Sequence, residues 1–542
     1  MELIERARAW AELDPEESHR AEIHGLIEDH ELARLEELFT GRLSFGTAGL
    51  RAGLGPGPNR MNRLVVRQTT QGLLLWMKGR GFTRPRIVIG FDARHGSLDF
   101  AVEAADTIGA AGAEAIRCDD VVPTPALAYA ILTHEADAGI MVTASHNPPA
   151  DNGYKLYLGD GIQIIPPADG EIADAIHRIA AGEPAPVFDE AAGPQLVPGR
   201  RWVDAHREAV LPSIPGPERS VRVVYTAMHG VGGAPFVTAA LEAGFERPVV
   251  VDEQFDPDPD FPTVSFPNPE EPGALDLALA LAQEHGVDAV IAHDPDADRL
   301  AIAVPSVDGW TQLSGDQVGA LLANHVINAH LDGAGGPAVV AKSLVSSQRL
   351  EAIAAEAGVE CQTTLTGFKW VARAIVDEPD AAYLLGYEEA LGYCVGGIVR
   401  DKDGIGAALV AMQLLSKLKD AGRTVWDELA DLDRRFGAYR THSFSHRLSE
   451  TGPTTEQILT DILGDPPTAD SPVANITDLR TEGDLPPTDG VLVRYTDRAR
   501  LIVRPSGTEP KVKFYLEAVG EPAVAEQALR DLTEAVELRL KG

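Results

Sequence analysis

Apolar residues in this chain fall into short, nearly continuous runs, separated by longer stretches of helical periodicity. The runs at 86–91, 138–142, 221–225, 287–291, 337–341 and 381–385 are rich in Val, Ile and Ala and predict strands. Between them, stretches such as 100–115 and 272–285 repeat apolar residues at helical spacing. Strands that are apolar throughout, alternating with amphipathic helices, predict α/β layering with sheets covered on both faces. Pro- and Gly-rich breaks at 182–199, 212–217 and 332–337, and a change of pattern at 436–446, divide the series. The final part has a polar, Pro-containing stretch at 465–489, strands at 501–504 and 511–516, and a closing helix at 523–540. The expected architecture is three similar α/β domains with mixed sheets, at 1–205, 206–325 and 326–438. A smaller C-terminal α+β domain follows at 439–542.

Composition narrows the partners. The 542 residues carry 47 Lys plus Arg against 82 Asp plus Glu, a formal charge of −35. Nucleic acid and anionic membrane surfaces are disfavoured, because both are held chiefly by Lys and Arg. A phosphorylated small molecule would need basic residues concentrated locally. Cys118, Cys361 and Cys394 are odd in number and far apart, which excludes a disulfide framework or a four-thiolate zinc site. No apolar run approaches membrane-spanning length, and the charged, helix-patterned start is unlike a signal peptide. These features predict a soluble, cytoplasmic protein.

Two motifs stand directly after predicted strands, where α/β folds place their sites. In Thr143-Ala144-Ser145-His146-Asn147-Pro148, Asn-Pro forces a turn that holds Ser145 out. No Gly-x-Ser-x-Gly elbow is present, which argues against a hydrolase. In Asp294-Pro295-Asp296-Ala297-Asp298-Arg299, alternate residues of an extended chain face one way, so three carboxylates converge. Carboxylates that crowded repel one another unless a cation sits among them, and hard oxygen ligands suit Mg²⁺. A calcium EF-hand is excluded, because Arg299 stands where its loop needs Gly.

Three further segments add candidates. Arg504-Pro505-Ser506-Gly507-Thr508-Glu509-Pro510-Lys511 offers a bidentate cation, hydroxyls and a tight backbone, the elements of a phosphate cradle. Gly386-Tyr387-Glu388-Glu389-Ala390-Leu391-Gly392 pairs two acids in a glycine-bounded loop, suited either to sugar hydroxyls or to an ordinary strand-to-helix turn. Ser44-Phe45-Gly46-Thr47-Ala48-Gly49-Leu50-Arg51 permits close backbone approach and ends on a cation.

In this order, the five motifs resemble those of the α-D-phosphohexomutase superfamily, the phosphoglucomutase/phosphomannomutase enzymes, from Phe45 to about Glu517. Phe45–Arg51 followed by Asn59-Arg60-Met61-Asn62 is most similar to its phosphoglucomutase-2/phosphopentomutase-like branch. The resemblance implies four domains around a central cleft. It also implies an isomerase that moves phosphoryl groups through a phosphoserine and a bisphosphate intermediate. Mg²⁺ would be the cofactor and a sugar bisphosphate such as glucose 1,6-bisphosphate the activator. The phosphoserine falls on Ser145, and the metal ligands on Ser145, Asp294, Asp296 and Asp298, with Arg299 beside them. Arg51, His146, Lys155 and Lys402 match catalytic positions. Thr366, Gly367, Lys369, Glu388 and Glu389 match sugar-side positions. Arg504, Ser506, Gly507, Thr508 and Lys513 match the loop that holds the non-reacting phosphate. Lys155 is the first candidate acid–base group and His146 the second, each aided by a pKa lowered by neighbouring cations.

Two departures concern the sugar. Ala390 replaces a serine that many relatives carry, and the hexose-specific loop Gly-Glu-Met-Ser-Gly-His is absent. The first reading is interconversion of glucose and/or mannose 1-phosphate with the 6-phosphate. The alternatives are a phosphopentomutase acting on ribose or deoxyribose phosphate, or a sugar bisphosphate synthase. A phosphatase would have no use for a second phosphate loop, and a mere sensor none for the serine and metal residues. Arg51, Lys155, Arg299, Lys369, Lys402, Arg504 and Lys513 are expected to gather in the interior, leaving the acidic residues outside.

Overall fold

The computed structural model describes residues 3–45, 49–188, 193–333, 335–449, 452–469, 471–506 and 511–541. Two compact units result: Met1–Gln312 with Gly392–Gln413, and Leu313–Leu391 with Leu414–Gly542. Among the described residues no helix is long and apolar enough to cross a membrane.

The first unit holds two mixed sheets. One runs in the order Leu50–Gly53, Asp151–Leu158, Ala138–Val142, Arg86–Phe91, Glu114–Cys118, Gln195–Val197. Its last four strands are parallel, and the first two pair antiparallel at one edge. The central strands are buried on both faces, which explains their unbroken apolar runs. The second sheet is ordered Gly309–Gln312, Ala301–Ser306, Ala289–Ala292, Val223–Thr226, Val249–Val250. Its parallel half ends at the segment that carries the three aspartates.

Ahead of these sheets, helices Leu3–Leu13, Glu17–Glu28 and Leu32–Phe39 form a small core of their own. Trp10, Ile23, Leu35 and Phe39 close it against Leu64 and Val65 of helix Arg63–Gly79. The same helix packs its other side on helix Ala168–Ala180. There Gly72 lies so close that a Cβ would stand 2.8 Å from the Ile176 backbone.

In the second unit, strands Glu360–Thr364, Ala338–Ser343 and Ala382–Glu388 are parallel, with Ala338–Ser343 in the middle. The C-terminal sheet is antiparallel throughout, ordered Ala438–Arg447, Lys511–Gly520, Arg500–Pro505, Val491–Tyr495, Val473–Asp478. Helices Thr455–Gly464 and Pro522–Lys541 complete this α+β module. Leu344 and Val345, following the central parallel strand, pack on Leu492, Ile502 and Tyr515 of that sheet.

The sequence pattern misplaces two elements. The helix expected over 100–115 is Ser97–Ala110, because Gly112, at φ +80°, turns the chain into strand Glu114–Cys118. The polar stretch 465–489 contains strand Val473–Asp478, an edge strand too exposed to show an apolar run.

Replacing Gly72 by Ala is expected to lower stability by about 1–3 kcal/mol, because a backbone cannot yield as a side-chain tip can. A fall in the thermal unfolding midpoint checks this; an unchanged midpoint would contradict the close helix contact.

Candidate active site

Ser145 sits at the C-terminal end of strand Ala138–Val142 in the left-handed region, at φ +53°. A non-glycine residue there costs about 1–3 kcal/mol and needs surrounding structure to hold it. Thr143 Oγ1 accepts the Ser145 N–H at 2.8 Å and itself donates to Asp92 at 2.6 Å. The Arg94 guanidinium donates to the carbonyls of Ser145 and Asn147, both at 2.6 Å, and to that of Pro148 at 2.8 Å. Its other face lies over the Phe261 ring, 4.9 Å from the centroid. So fixed, Ser145 Oγ donates to Asp294 Oδ2 at 2.7 Å and lies 3.3 Å from His146 Nδ1.

Asp294, Asp296 and Asp298 are buried, and one oxygen of each lies within 4.8 Å of the others. Their loop follows strand Ala289–Ala292 and has Ala297 at φ +56°. It rests on the turn after strand Val223–Thr226, where Val231 N–H donates to the Pro295 carbonyl at 2.8 Å. Lys155 Nζ donates to Asp296 at 2.7 Å and to Asp298 at 2.8 Å. Lys402 Nζ lies 3.3 Å from Asp298, Thr124 Oγ1 donates to Asp296 at 2.6 Å, and Arg299 N–H donates to Asp294 at 3.1 Å.

The carboxyls differ in consequence. Burial, then the charges of Asp296 and Asp298, push Asp294 well above the usual carboxylate range. Burial also opposes ionisation of the other two, but Lys155 helps hold both below their ordinary value, with Lys402 and Arg299 adding to the effect at Asp298. Lys155 itself is raised: burial works against its charge, but Asp296 and Asp298 outweigh it. The expectation of a lowered Lys155 pKa is therefore wrong, because its nearest charges are carboxylates rather than cations. His146 behaves as expected. Burial, then Arg299 and Arg51, hold its imidazole well below its ordinary value.

A divalent cation fits this donor set. Asp296 Oδ1 and Asp298 Oδ1 are buried with no hydrogen-bond partner among the described residues. Hard, unpartnered carboxylate oxygens beside a serine oxygen are what Mg²⁺ accepts. Arg51, on strand Leu50–Gly53, is also poised for an anion, since its Nε is buried without a partner among the described residues.

Lys402 reaches the aspartates because its loop is clamped within this unit. Asp401 accepts from Tyr157 Oη and Gln163 Nε2, each at 2.7 Å. Asp403 meets His206 Nε2 at 2.8 Å, and His293 Nε2 lies 3.0 Å from the Gly404 carbonyl. A Cβ on Gly404 would stand 2.3 Å from the Arg299 carbonyl, so this approach requires glycine.

The second unit brings together most of the remaining candidates. Gly367 N–H donates to Glu388 Oε1 at 2.7 Å, and Arg504 donates to Thr366 Oγ1. Arg504 and Lys513 are direct cross-strand neighbours, and Arg504 Nε is buried without a partner among the described residues. Ser506 N–H donates to the Lys511 carbonyl at 2.8 Å. Lys369 is buried on the short helix Phe368–Val371. Glu389 accepts from Ser346 Oγ at 3.1 Å and Ser343 Oγ at 3.2 Å. Burial, then Glu388 and Asp316, raise its carboxyl to about 7. Two hydroxyls, one at the end of strand Ala338–Ser343 and one in the turn after it, thus hold Glu389 beside Ala390. Gly507 and Thr508 lie outside the described residues.

Asp92, Arg94, Thr124, Ser343 and Ser346 escaped the sequence reading. The signal for the first two was present: Phe91-Asp92-Ala93-Arg94 also follows a buried strand directly.

Known proteins share this sequence and architecture. Family models described as phosphoglucomutase/phosphomannomutase match the chain in order: α/β/α domain I at residues 42–183, domain II at 201–309, domain III at 314–434 and the C-terminal domain at 462–533. A probable phosphomannomutase of Haemophilus influenzae is 42% identical, covering 88% of this chain and 97% of that protein. A probable phosphoribomutase of Schizosaccharomyces pombe is 36% identical over 98% of this chain and 96% of its own length. The fold is also similar to that of a putative phosphomannomutase from Thermus thermophilus, with a TM-score of 0.69 at 22% identity over 92% of this chain and 99% of that one. The chain belongs to the phosphoglucomutase/phosphomannomutase family and is a phosphohexomutase-type isomerase.

Adding Mg²⁺ at about a hundred times its dissociation constant is expected to stabilise the protein by about 2.7 kcal/mol. Thermal unfolding with and without the ion checks this. The gain should vanish in Asp298→Asn; a gain that survives there would place the ion elsewhere.

Proposed function

We propose that the enzyme interconverts sugar 1-phosphates and sugar 6-phosphates, of glucose and/or mannose, through a phosphoserine at Ser145 and a sugar bisphosphate intermediate. The observation that carries this reading is the buried Ser145 hydroxyl, 2.7 Å from Asp294 in a left-handed turn braced by Asp92 and Arg94. Phosphorylated Ser145 gives its phosphoryl group to the free hydroxyl of a sugar monophosphate; the bisphosphate reorients, and its other phosphoryl group returns to Ser145.

Phosphoryl transfer asks mainly for positioning and for charge to be met as it develops. Asp294, Asp296 and Asp298, with the serine oxygen, would hold Mg²⁺, which when bound supplies Lewis-acid charge to the phosphoryl oxygens. Arg51, Arg299 and Lys402 bring cationic charge to the same place. We assign the proton of the attacking hydroxyl to Lys155 and after it to His146; Lys155, raised by its carboxylates, suits the acid, and His146, held low, suits the base. We assign the non-reacting phosphate to Arg504, Ser506, Gly507, Thr508 and Lys513, and the sugar hydroxyls to Glu388 and Glu389, with Thr366, Gly367 and Lys369 supporting. Glucose 1,6-bisphosphate fits the role of activator, since it would load an unphosphorylated Ser145.

A pentose substrate is the second reading. It is favoured by Ala390 and by the relative named as a phosphoribomutase, whose likeness extends over 98% of this chain.

Ser145→Ala is expected to lower turnover at least about a thousandfold with bisphosphate supplied. Full activity in that variant would exclude the phosphoserine route. Comparing kcat/KM for glucose, mannose, ribose and deoxyribose 1-phosphates decides the sugar; preference for the pentoses would replace the first reading by the second.

A further inference from the structure

The second unit carries a basic cavity that the proposed reaction does not use. A space of about 450 Å³ is lined by Gln348, Glu351, Tyr439, Arg494, Arg498 and Arg500, among others. Three arginines around one cavity are unexpected in a chain of formal charge −35. Their placement is set by the C-terminal sheet. Arg494 on strand Val491–Tyr495 stands directly opposite Arg500 on strand Arg500–Pro505. Like charges facing across two strands are destabilising unless something of opposite sign meets them. Arg500 has such a partner, Glu517 at 2.7 Å on the next strand. Arg494 has none among the described residues. Arg498, at φ +69° in the turn joining the two strands, donates to Tyr439 Oη at 3.4 Å and meets no carboxylate among the described residues. The one acid lining the cavity, Glu351, is paired with Lys342 at 2.9 Å.

We propose that this cavity is a second anion site, which takes a compact solute bearing two phosphoryl groups. Two guanidiniums with no carboxylate partner among the described residues match two phosphoryl groups, since each fork can bind one bidentately. The volume suits a small molecule and not a chain. The neighbouring cavity shares Arg494 and Arg500 but has Glu482 and Asp484 in its lining, so the anion lies toward Arg498. Occupancy reaches the sugar-side residues through one side chain. Arg500 donates to the Ser346 carbonyl at 2.6 Å, and Ser346 Oγ donates to Glu389 at 3.1 Å. An anion competing for Arg500 loosens that link and raises KM for the phosphosugar. This last step rests on the function proposed above; the binding site does not.

The test is calorimetric titration of the full chain with inorganic pyrophosphate in metal-free buffer. Two sites are expected. Arg494→Ala combined with Arg498→Gly should weaken one of them at least about tenfold, while Arg504→Ala weakens the other. Arg494→Glu alone, at an exposed strand position, repeats the loss if the double variant folds poorly. A titration of Arg494→Glu indistinguishable from wild type overturns the second site, whatever Arg504→Ala does. Loss in Arg504→Ala tests the phosphosugar reading separately. Pyrophosphate should also raise KM more in wild type than in Arg494→Glu; equal increases would overturn the link to Glu389.

Discussion

Everything in the first unit answers to one electrostatic constraint: three carboxylates are buried within 4.8 Å of one another. Two unit charges 4 Å apart repel by about 4 kcal/mol at the screening typical near protein surfaces, and more where water is scarcer. Such a cluster persists only if the fold brings opposite charge to it from several directions. Lys155 comes from the strand next to the edge of the first sheet, Arg299 from the acidic loop itself and Lys402 from a distant segment. Asp294 departs from the other two: Arg299 opposes its rise, yet its carboxyl stands high and accepts a hydrogen bond from Ser145 Oγ. The asymmetry separates the serine side of the cluster from the cation side.

The sequence made much of this legible, for a physical reason. Strands buried on both faces must be apolar throughout, so 86–91 and 138–142 coincide with the observed strands residue for residue. Polar residues that interrupt the chain immediately after such strands stand out, and Ser145 and the aspartates were visible that way. What escaped was whatever depends on contacts distant in sequence. Nothing local to Ser346 announces that it will donate to Glu389, or that Arg500 will hold its carbonyl. The sign of the Lys155 shift was misread for the same reason, because the motif shows Lys155 but not the carboxylates it meets. Edge strand Val473–Asp478 lacks the apolar run that betrays a central strand.

Within each unit the seven cationic residues lie away from the surface, but the acidic residues are not all outside: Asp92, Asp294, Asp296, Asp298, Asp403 and Glu517 are buried as well. Arg51, Lys155, Arg299 and Lys402 gather around the aspartates. In the second unit Arg504 and Lys513 are neighbours and Lys369 is buried. All seven are buried or half-buried. The second unit is knit by a different device. Leu344 and Val345 plug into the C-terminal sheet, while Arg500 and Glu517 bind the backbone and Ser347 around them. The parallel and antiparallel sheets therefore share one seat.

The clamp on Lys402 has a bearing on how the chain is made. Asp298 and Lys402 are about a hundred residues apart, and at roughly 5–20 residues per second that is an interval of some 5–20 seconds on the ribosome. Throughout it the nascent acidic loop has Lys155 but lacks its later countercharge, and Tyr157, Gln163 and His206 lack their acidic partners. The first unit thus cannot close in order of synthesis. Its last piece, Gly392–Gln413, arrives only after all three parallel strands of the second unit have been made.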